Sequence, residues 1–297
     1  MSEPAILVEN VSFDYPRGPR ALDGIALRID VGERVAVVGQ NGSGKSTLVR
    51  QFNGLLRPTV GTVSINGRPI GRRHVAELAR EVGLAFQNPD RQIFAGSVRA
   101  EVAFGPRNLG LSQSERDAAV ERAIVTVGLD GDEGTNPYDL GFSRRKCLAL
   151  ASILAMETPI VILDEPTTGQ DARGIDRVKR IVSDLSAAGR TVIAVSHDMR
   201  FVAESFERVI VMRAGRIVLD GTPAEAFAEA AWTTIASTYL EPPLAARVGA
   251  RLGLGATPTE ASLVGALVER AAAAGDAARQ ATADQGSRLN QTPPGPV

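Results

Sequence analysis

The sequence lacks several features that mark specialised classes of protein. A single cysteine, Cys147, among 297 residues excludes an internal disulfide and is typical of a reducing compartment. The formal net charge of −1 offers no basic surface for general binding to nucleic acid or to an anionic membrane. No apolar run is long enough to cross a bilayer, and the first residues, MSEPAILVEN, do not have the pattern of a leader peptide. We therefore expect a cytoplasmic protein that reaches a membrane only through a partner.

Lysine and histidine are also scarce. Only three of the 33 basic residues are lysines, and only two residues are histidines. We attribute the excess of arginine, which accompanies a high alanine content, to coding composition. Lys45, Lys146 and His197 lie inside the motifs described below. His74 lies among polar residues in a segment typical of a protein surface, and we expect no functional role for it.

Up to about residue 221, short apolar runs alternate with helical patterns. This alternation predicts a mostly parallel β-sheet covered by helices, which is an α/β fold. Runs rich in valine and isoleucine lie at residues 34–39, 81–86, 159–165, 191–197 and 208–215. Strands that are buried on both faces have this composition. The segments AILVENVSFDY and GTVSING predict an antiparallel flank instead. Residues 97–155 show no strand pattern and predict a helical insert, in which Ser112 and Glu115 form a capping box.

After Gly221 the composition changes to alanine-rich helix. Capping boxes with proline at the first helical position are predicted at Thr222–Glu225 and Thr257–Glu260, and Pro242-Pro243 must break the helical run between them. From residue 271 onward alanine, glycine, glutamine and proline occur without apolar periodicity, which predicts disorder. We therefore expect a main domain with its helical insert, a helical extension and a disordered tail, at residues 1–221 (insert about 90–155), 222–270 and 271–297.

The segment GQNGSGKST matches the phosphate-binding pattern G-x-x-x-x-G-K-[ST] in full. It follows a buried strand and opens a helix near Lys45, and its glycines let successive backbone N–H groups point at an anion. We expect Lys45 to reach the β- and γ-phosphates of a nucleotide and Ser46 to bind Mg²⁺. The weaker alternative is a glycine-rich turn that binds nothing. The predicted nucleotide-binding residues are Gly39, Asn41, Gly42, Ser43, Gly44, Lys45, Ser46 and Thr47.

Two acids, Asp164 and Glu165, follow one another at the end of the run VILDE. Ligands of open α/β sheets bind at the carboxyl ends of strands. We expect Asp164 to hold the metal, directly or through water, and Glu165 to orient and deprotonate the attacking water. Two acids at the end of a strand are by themselves usually a solvated terminus, but beside a phosphate-binding loop they predict catalysis.

Two more polar residues end neighbouring apolar runs. His197 ends AVSH, and we expect it to donate a hydrogen bond to the γ-phosphate. Gln87 follows VGLAF, and we expect it to contact Mg²⁺ or the attacking water. Because the carboxyl ends of parallel strands meet at one edge of the sheet, both side chains are expected near Glu165.

In this order, the motifs make residues 4–220 resemble the nucleotide-binding subunit of an ATP-binding cassette (ABC) transporter. The resemblance implies a P-loop NTPase fold with a RecA-like parallel core, an antiparallel flank and a helical signature subdomain. It implies ATP hydrolysis with Mg²⁺. Tyr15 falls where the family stacks an aromatic ring on adenine, although an aromatic residue there also suits strand packing. The family's motifs would be Walker A (39–47), the Q-loop (Gln87), Walker B (Asp164 and Glu165), the D-loop (Asp171) and the switch histidine (His197).

A narrower resemblance concerns residues 86–112. FQNPDRQIF and SVRAEVAFGPRNLGLS are similar to the ATPases of energy-coupling factor transporters, which drive uptake of vitamins or of cobalt and nickel ions. The segment after Gly221 is consistent, because those ATPases carry an extension that helps them to dimerise. The resemblance implies a second ABC ATPase, a membrane coupling subunit that docks at Gln87–Gln92, and a substrate-binding membrane subunit. It places the chain on the cytoplasmic face of the membrane, without nucleic acid.

Leu140–Arg144, LGFSR, stands where the family carries its signature L-S-G-G-Q. We expect Ser143 to cap the following helix, with the cations of residues 144–146 in its first turn. Cations are unfavourable there unless an anion faces them, and the resemblance implies the ATP phosphate of a partner subunit. Both signature glycines are replaced, one of them by Phe142, which obstructs close approach of the backbone to a phosphate.

The altered signature leads to an asymmetric hypothesis. This chain's own ATP meets a partner's signature and is hydrolysed, whereas the partner's ATP meets Ser143, Arg144 and Asp171 here and is turned over poorly. That arrangement favours a heterodimer over a homodimer, and the unusual TTGQD segment before Asp171 agrees with it. Four alternatives stay open: Ser143 and Arg144 serving adequately, an ATP-binding regulatory subunit with little hydrolysis, an ATPase of another ABC importer class, and a soluble ABC protein that acts on DNA or ribosomes.

Overall fold

The computed structural model describes residues 3–289. These residues contain two β-sheets and eleven α-helices, joined by loops and short 3₁₀ turns. The strands are β1 (Ile6–Asp14), β2 (Arg20–Ile29), β3 (Arg34–Val38), β4 (Val60–Ile65), β5 (Arg68–Pro69), β6 (Val82–Ala85), β7 (Ile160–Asp164), β8 (Thr191–Val195), β9 (Arg208–Arg213) and β10 (Arg216–Gly221). The helices are α1 (Lys45–Phe52), α2 (Val75–Leu78), α3 (Val98–Leu109), α4 (Gln113–Val127), α5 (Phe142–Leu154), α6 (Ala172–Ala187), α7 (Met199–Ser205), α8 (Pro223–Ala226), α9 (Trp232–Ala236), α10 (Leu244–Arg251) and α11 (Glu260–Leu289).

The larger sheet is the predicted parallel core. Its six strands run in the order β10-β9-β3-β8-β7-β6, with β3, β6, β7, β8 and β9 parallel and β10 antiparallel to β9. Every residue of β6, β7 and β8 is buried, as their continuous valine and isoleucine runs require. The α/β prediction is confirmed.

The smaller sheet is the predicted antiparallel flank, in the order β2-β1-β4-β5. The sequence patterns predicted β1 and β4 but not β2. The signal for β2 was present, since Leu22, Ile25, Leu27 and Ile29 are buried between more exposed residues. Such alternation is typical of a strand with one face on the core. The buried side of this sheet, helix α1 and one face of the parallel sheet share a hydrophobic core.

The helical insert consists of α3, α4 and α5, which pack on one another. The capping box of Ser112 and Glu115 at the start of α4 is confirmed. The prediction that Ser143 caps α5 is wrong. The helix begins at Phe142, with Gly141 as its N-cap in an extended conformation, and the Ser143 hydroxyl donates to Gln170 instead.

The segment after β10 is helical, and one of its two predicted capping boxes exists. Thr222 and Glu225 form it at the start of α8, with proline at the first helical position. The box predicted at Thr257 is wrong, because that hydroxyl is buried and donates to the carbonyl of Ala245 at 2.9 Å. Helix α11 begins three residues later, where Thr259 and Ser262 exchange backbone-to-hydroxyl hydrogen bonds. Serine here takes the place of the predicted glutamate.

Helix α11 continues to Leu289, beyond residue 271 where disorder was predicted. Alanine is the strongest helix former, so an alanine-rich segment can stay helical without an apolar stripe. Residues 290–297 of the expected tail lie outside the described residues. Among residues 3–289, no helix is both long and apolar enough to cross a membrane.

Candidate functional site

The site lies where four parallel strands end at the same edge of the larger sheet. The loop of residues 39–47 follows β3, His197 follows β8, Asp164 ends β7 and Gln87 follows β6. A cavity of about 380 Å³ opens at this edge. It is lined by Tyr15, Asn41, Gly42, Gly44, Lys45, Ser46, Thr47, Gln87, Asp164 and Glu165, among others. The structure therefore brings Lys45, Ser46, Gln87, Asp164 and Glu165 together around one cavity, with His197 in contact with Glu165.

The loop between β3 and α1 has the shape of an anion cradle. Gly39, Gly42 and Gly44 have φ angles of 147°, 80° and 105°, which L side chains rarely adopt. Helix α1 begins at Lys45, as predicted, and the first N–H groups of a helix have no intrahelical partner. These donors and the positive end of the helix dipole face the loop, which suits a phosphate.

We expect Gly39→Ala to destabilise the chain and to abolish nucleotide binding. An added Cβ would lie 2.2 Å from the carbonyl oxygen of Met212 on β9, and the φ of 147° is already unfavourable for alanine. Backbone strain and overpacking together should cost roughly 2–4 kcal/mol of the free energy of unfolding. Chemical denaturation measures this cost. Gly71→Ala is the control, since its added Cβ meets nothing within 4 Å and it should stay close to wild type.

Lys45 is the cation of the cradle. Its Nζ donates to the carbonyl oxygens of Gly39 at 2.6 Å and Gln40 at 2.9 Å. Burial lowers the pKa of Lys45, and the nearby charges of Glu165 and Asp164 oppose that shift. The ammonium group is thus largely removed from water beside the loop, where an anionic phosphate would gain most from it.

The residues proposed for Mg²⁺ supply hard oxygen donors. The Ser46 hydroxyl lies 3.5 Å from Oδ1 of Asp164, and Gln87 lines the same cavity. Burial raises the pKa of Asp164, while the hydrogen bond from Ser46 opposes the shift. Among residues 3–289 there is no cluster of three or more His, Cys, Asp and Glu that would bind a metal by itself. This sparse set fits Mg²⁺, which keeps several waters and takes phosphate oxygens as further ligands.

Glu165 is held in one orientation. Its backbone has a φ of 54°, and its N–H donates to the carbonyl oxygen of Val195 at 2.8 Å. Its Oε2 lies 2.7 Å from Nδ1 of His197 and accepts from the hydroxyl of Thr168 at 3.3 Å. The residue is 5 % exposed, at the edge of the cavity. An oriented carboxylate beside a phosphate cradle has the geometry that a general base requires.

Tyr15 lies at the rim of the cavity. Its hydroxyl is 3.1 Å from Oγ1 of Thr47, and its ring meets Phe13 edge-on with centroids 4.9 Å apart. The residue is 39 % exposed, so part of the ring is free of protein contacts. Tyr15 therefore packs against Phe13, as one of the two interpretations of this residue expected. Its stacking on adenine stays a prediction.

Ser143, Arg144 and Asp171 do not lie at this cavity. They line a separate one of about 350 Å³ together with Gln170 and Cys147. The Ser143 hydroxyl donates to Gln170 Oε1 at 2.8 Å, and Gln170 Nε2 donates back to the Ser143 carbonyl at 3.1 Å. Asp171 caps α6 by accepting from the Gly174 N–H at 2.8 Å.

The three cations at the start of α5 have partners within the chain. Arg144 forms an ion pair with Asp132. Arg145 pairs with Asp90 at 3.0 Å, and Lys146 donates to backbone carbonyls of the loop after β7. The sequence predicted a partner's ATP phosphate as the anion facing this turn. In the structure these cations have carboxylates and carbonyls of the same chain as partners, and a partner's phosphate at this turn stays a prediction.

Two residues that contact Glu165 were not predicted from the sequence. Lys146 donates to its carbonyl oxygen, and Thr168 donates to its carboxylate. The burial of Lys146 could have been predicted from the sequence. Lys146 lies four residues before Leu150 and eight before Leu154, which places all three in the buried stripe of α5. A lysine in such a stripe needs buried acceptors. Thr168 had no comparable signal.

Comparison with known proteins agrees with this geometry. The model of the ABC transporter family matches residues 22–168. The energy-coupling factor transporter ATP-binding protein EcfA of Methanothermobacter thermautotrophicus is 43% identical over 227 residues, which cover 76% of this chain and 73% of that protein.

Two solved structures are similar over most of the chain. One is cbiO1 from Clostridium perfringens, described as part of the ABC transporter complex cbiONQ. It has a TM-score of 0.70 and 34% identity, and the match covers 83% of this chain and 99% of that one. The other is the ATP-binding cassette MJ0796, a dimer with ADP and Pi bound, with a TM-score of 0.67, 25% identity, and 73% and 98% coverage. Fold, cavity and sequence agree: the chain belongs to the ABC transporter family, among the ATP-binding proteins of the energy-coupling factor type, and it is an ATPase.

Proposed function

We propose that this chain energises an energy-coupling factor importer as one of two unequal ATPase subunits. The observation that carries the proposal is a contrast within the chain. Its phosphate loop, Asp164 and Glu165 line one cavity. The segment in the place of the signature, Leu140–Arg144, has Phe142 and Ser143 at the two glycine positions and is engaged with other residues of the chain. One half of a composite site is therefore complete, and the other is altered.

In the complete half, Lys45 and the N–H groups of the loop hold the phosphates of ATP. Ser46, Asp164 and Gln87 would hold Mg²⁺, which would supply electrostatic stabilisation of the charge on the transferred phosphoryl group. Glu165 orients the attacking water and takes its proton. His197 contacts Glu165 through Nδ1 and donates to the γ-phosphate through Nε2.

In the altered half, side chains occupy the place where glycines would admit a phosphate. The ring of Phe142 lies against Gly169. A Cβ added at Gly169 would lie only 2.7 Å from Cε1 of that ring. Ser143 is bonded to Gln170, and Arg144 is paired with Asp132. The unusual residues of 140–144 and 167–170 thus contact one another. This mutual fit supports slow turnover of a partner's ATP at this face.

The membrane coupling subunit is proposed to dock in a groove of about 580 Å³ between the parallel sheet and the helical insert. Phe94 and Phe104 line the groove, 59 % and 46 % exposed, with ring centroids 4.7 Å apart. Gln92 lies at the same groove, where its side chain bonds to Phe86 and Ala149. The apolar lining suits an amphipathic segment of a membrane protein. The description of cbiO1 as part of a transporter complex supports such a partner.

Dimerisation is proposed to involve α11 as well as the nucleotide sites. Val264, Leu267 and Val268 are spaced as one helical stripe and are 58 %, 41 % and 63 % exposed. The dimeric state of MJ0796 supports pairing in general. A homodimer stays the alternative, and it would carry the altered signature at both sites. Bound peripherally through the membrane subunits, the pair would drive uptake of a vitamin or of cobalt and nickel ions, with a separate membrane subunit choosing the cargo.

The two halves predict different turnover for the isolated chain and for its complex. Purified alone, the chain should hydrolyse ATP roughly 100-fold more slowly than the complex co-purified from native membranes through a tag on this chain, since Phe142 and Ser143 replace the glycines that let backbone amides approach the phosphate closely. Steady-state phosphate release measures both rates.

Arg144→Ala tests whether Arg144 takes over the role of the signature glycines. It should leave the slow rate of the isolated chain unchanged, as should the control Arg122→Ala, which removes another exposed ion pair, with Glu157. Vigorous hydrolysis by the isolated chain that Arg144→Ala abolishes would overturn the asymmetric proposal.

A further inference from the structure

Lys146 is a buried lysine whose ammonium group is held by the loop after β7. It is 7 % exposed and lies on α5. Its Nζ donates to the backbone carbonyl oxygen of Glu165 and to that of Thr168, the latter at 3.0 Å. These acceptors stand at the two ends of the turn 165–168 in that loop. One side chain thus fixes both ends of the turn.

The first acceptor belongs to a residue with an unusual backbone. Glu165 has a φ of 54°, in the region that favours glycine, although it carries a long acidic side chain. Its N–H is held by Val195 on β8 and its carbonyl oxygen by Lys146 on α5. A conformation of this kind persists only where the surroundings enforce it, and it occurs preferentially at active sites. The two hydrogen bonds supply that enforcement from both sides of the residue.

We propose that Lys146 is a positioning residue that holds Glu165 in its catalytic orientation from the helix carrying residues 142–144. The proposal rests on the role of Glu165 as general base given above. Lys146 is absent from the lining of the nucleotide cavity, so it acts through Glu165 rather than on ATP. Because a small misplacement of a catalytic group costs much of the rate, the loss of this anchor should reduce kcat more than KM.

Electrostatics favours the same arrangement. Burial lowers the pKa of Lys146, and the charges of Glu165 and Asp164 oppose that shift. A buried ammonium without acceptors would be strongly unfavourable, so the two carbonyls and the two carboxylates explain why a lysine is tolerated inside α5. The centroid of the Phe142 ring lies 6.0 Å from Nζ of Lys146, and the ring covers the ammonium group on one side.

The test is the kinetics of ATP hydrolysis by the complex co-purified through a tag on this chain. Lys146→Met keeps the length and removes the donors, and we expect kcat to fall roughly 10- to 100-fold with KM for ATP within about twofold of wild type. Lys146→Arg keeps a charged donor and should restore kcat to within about threefold. Lys179→Met is the matched control, because Lys179 pairs with Glu204 away from the cavity.

A purely structural lysine would give a different pattern. Wild-type kcat in Lys146→Met, or equal losses of kcat in the Met and Arg variants, would overturn the proposal. If Lys146→Met does not fold, Lys146→Gln takes its place in the test. Its shorter amide should still lower kcat without a change in KM, and a wild-type kcat in this variant would contradict the proposal. Glu165→Gln in the same assay separates the two claims. An active Glu165→Gln refutes the base, whereas an inactive Glu165→Gln with a wild-type Lys146→Met refutes only the anchor.

Discussion

Glu165→Gln should lower kcat for ATP hydrolysis by roughly 10²- to 10³-fold while leaving ATP affinity within about twofold of wild type. Glutamine has the same shape and can accept from Nδ1 of His197 and from the Thr168 hydroxyl, which both contact the carboxylate. It cannot take a proton from water. The chemical step is therefore lost and the binding geometry kept. Single-turnover hydrolysis of bound ATP in the purified complex, together with equilibrium binding, measures the two effects separately.

Glu157→Gln is the matched control for this experiment. Glu157 also has a positive φ, 53°, but it lies away from the cavity and pairs with Arg122. Its replacement should leave kcat unchanged, which excludes a general effect of glutamine at a left-handed position. A Glu165→Gln variant that hydrolyses ATP at the wild-type rate would show that another group activates the water.

Lys45→Ala should weaken binding of Mg·ATP by at least about 100-fold, because two charge-assisted hydrogen bonds to phosphate are lost at about 1.5 kcal/mol or more each. The lysine is 7 % exposed, so water cannot fully replace it. At a ligand concentration of 100 times its Kd, the wild-type chain gains about 2.7 kcal/mol of stability, and the variant should gain almost none at that concentration. Calorimetry and the shift of Tm on addition of Mg·ATP measure both quantities.

Lys179→Ala provides the comparison, since Lys179 carries the same charge on α6 and pairs with Glu204. It should bind Mg·ATP like the wild type. Equal Tm shifts in Lys45→Ala and in the wild type would contradict the cradle on which the proposed function depends.

Much of the site was predictable because its chemistry is local in the chain. The loop of residues 39–47 carries its own glycines, lysine and hydroxyls at fixed spacing, and α1 begins at Lys45 as expected. Asp164, Gln87 and His197 each end an apolar run, and parallel strands bring such ends to one edge. By contrast, the capping of α5 depended on which of two acceptors or donors the Ser143 hydroxyl would bind, the helix N-terminus or a distant side chain. The Ser143 hydroxyl had a partner 27 residues away, Gln170, which no local pattern reveals.

The sequence by itself determined the class of fold, the phosphate loop and the acids that face it, since periodicity and short motifs encode interactions between residues that are near in the chain. Only the tertiary structure decided which anion or carbonyl each cation of α5 meets. Asp132, Asp90 and the carbonyl of Glu165 come from three separate segments, and packing of the insert against the sheet brings them to one helix. Contacts across such distances depend on how whole elements pack, which the spacing of residues along the chain does not specify.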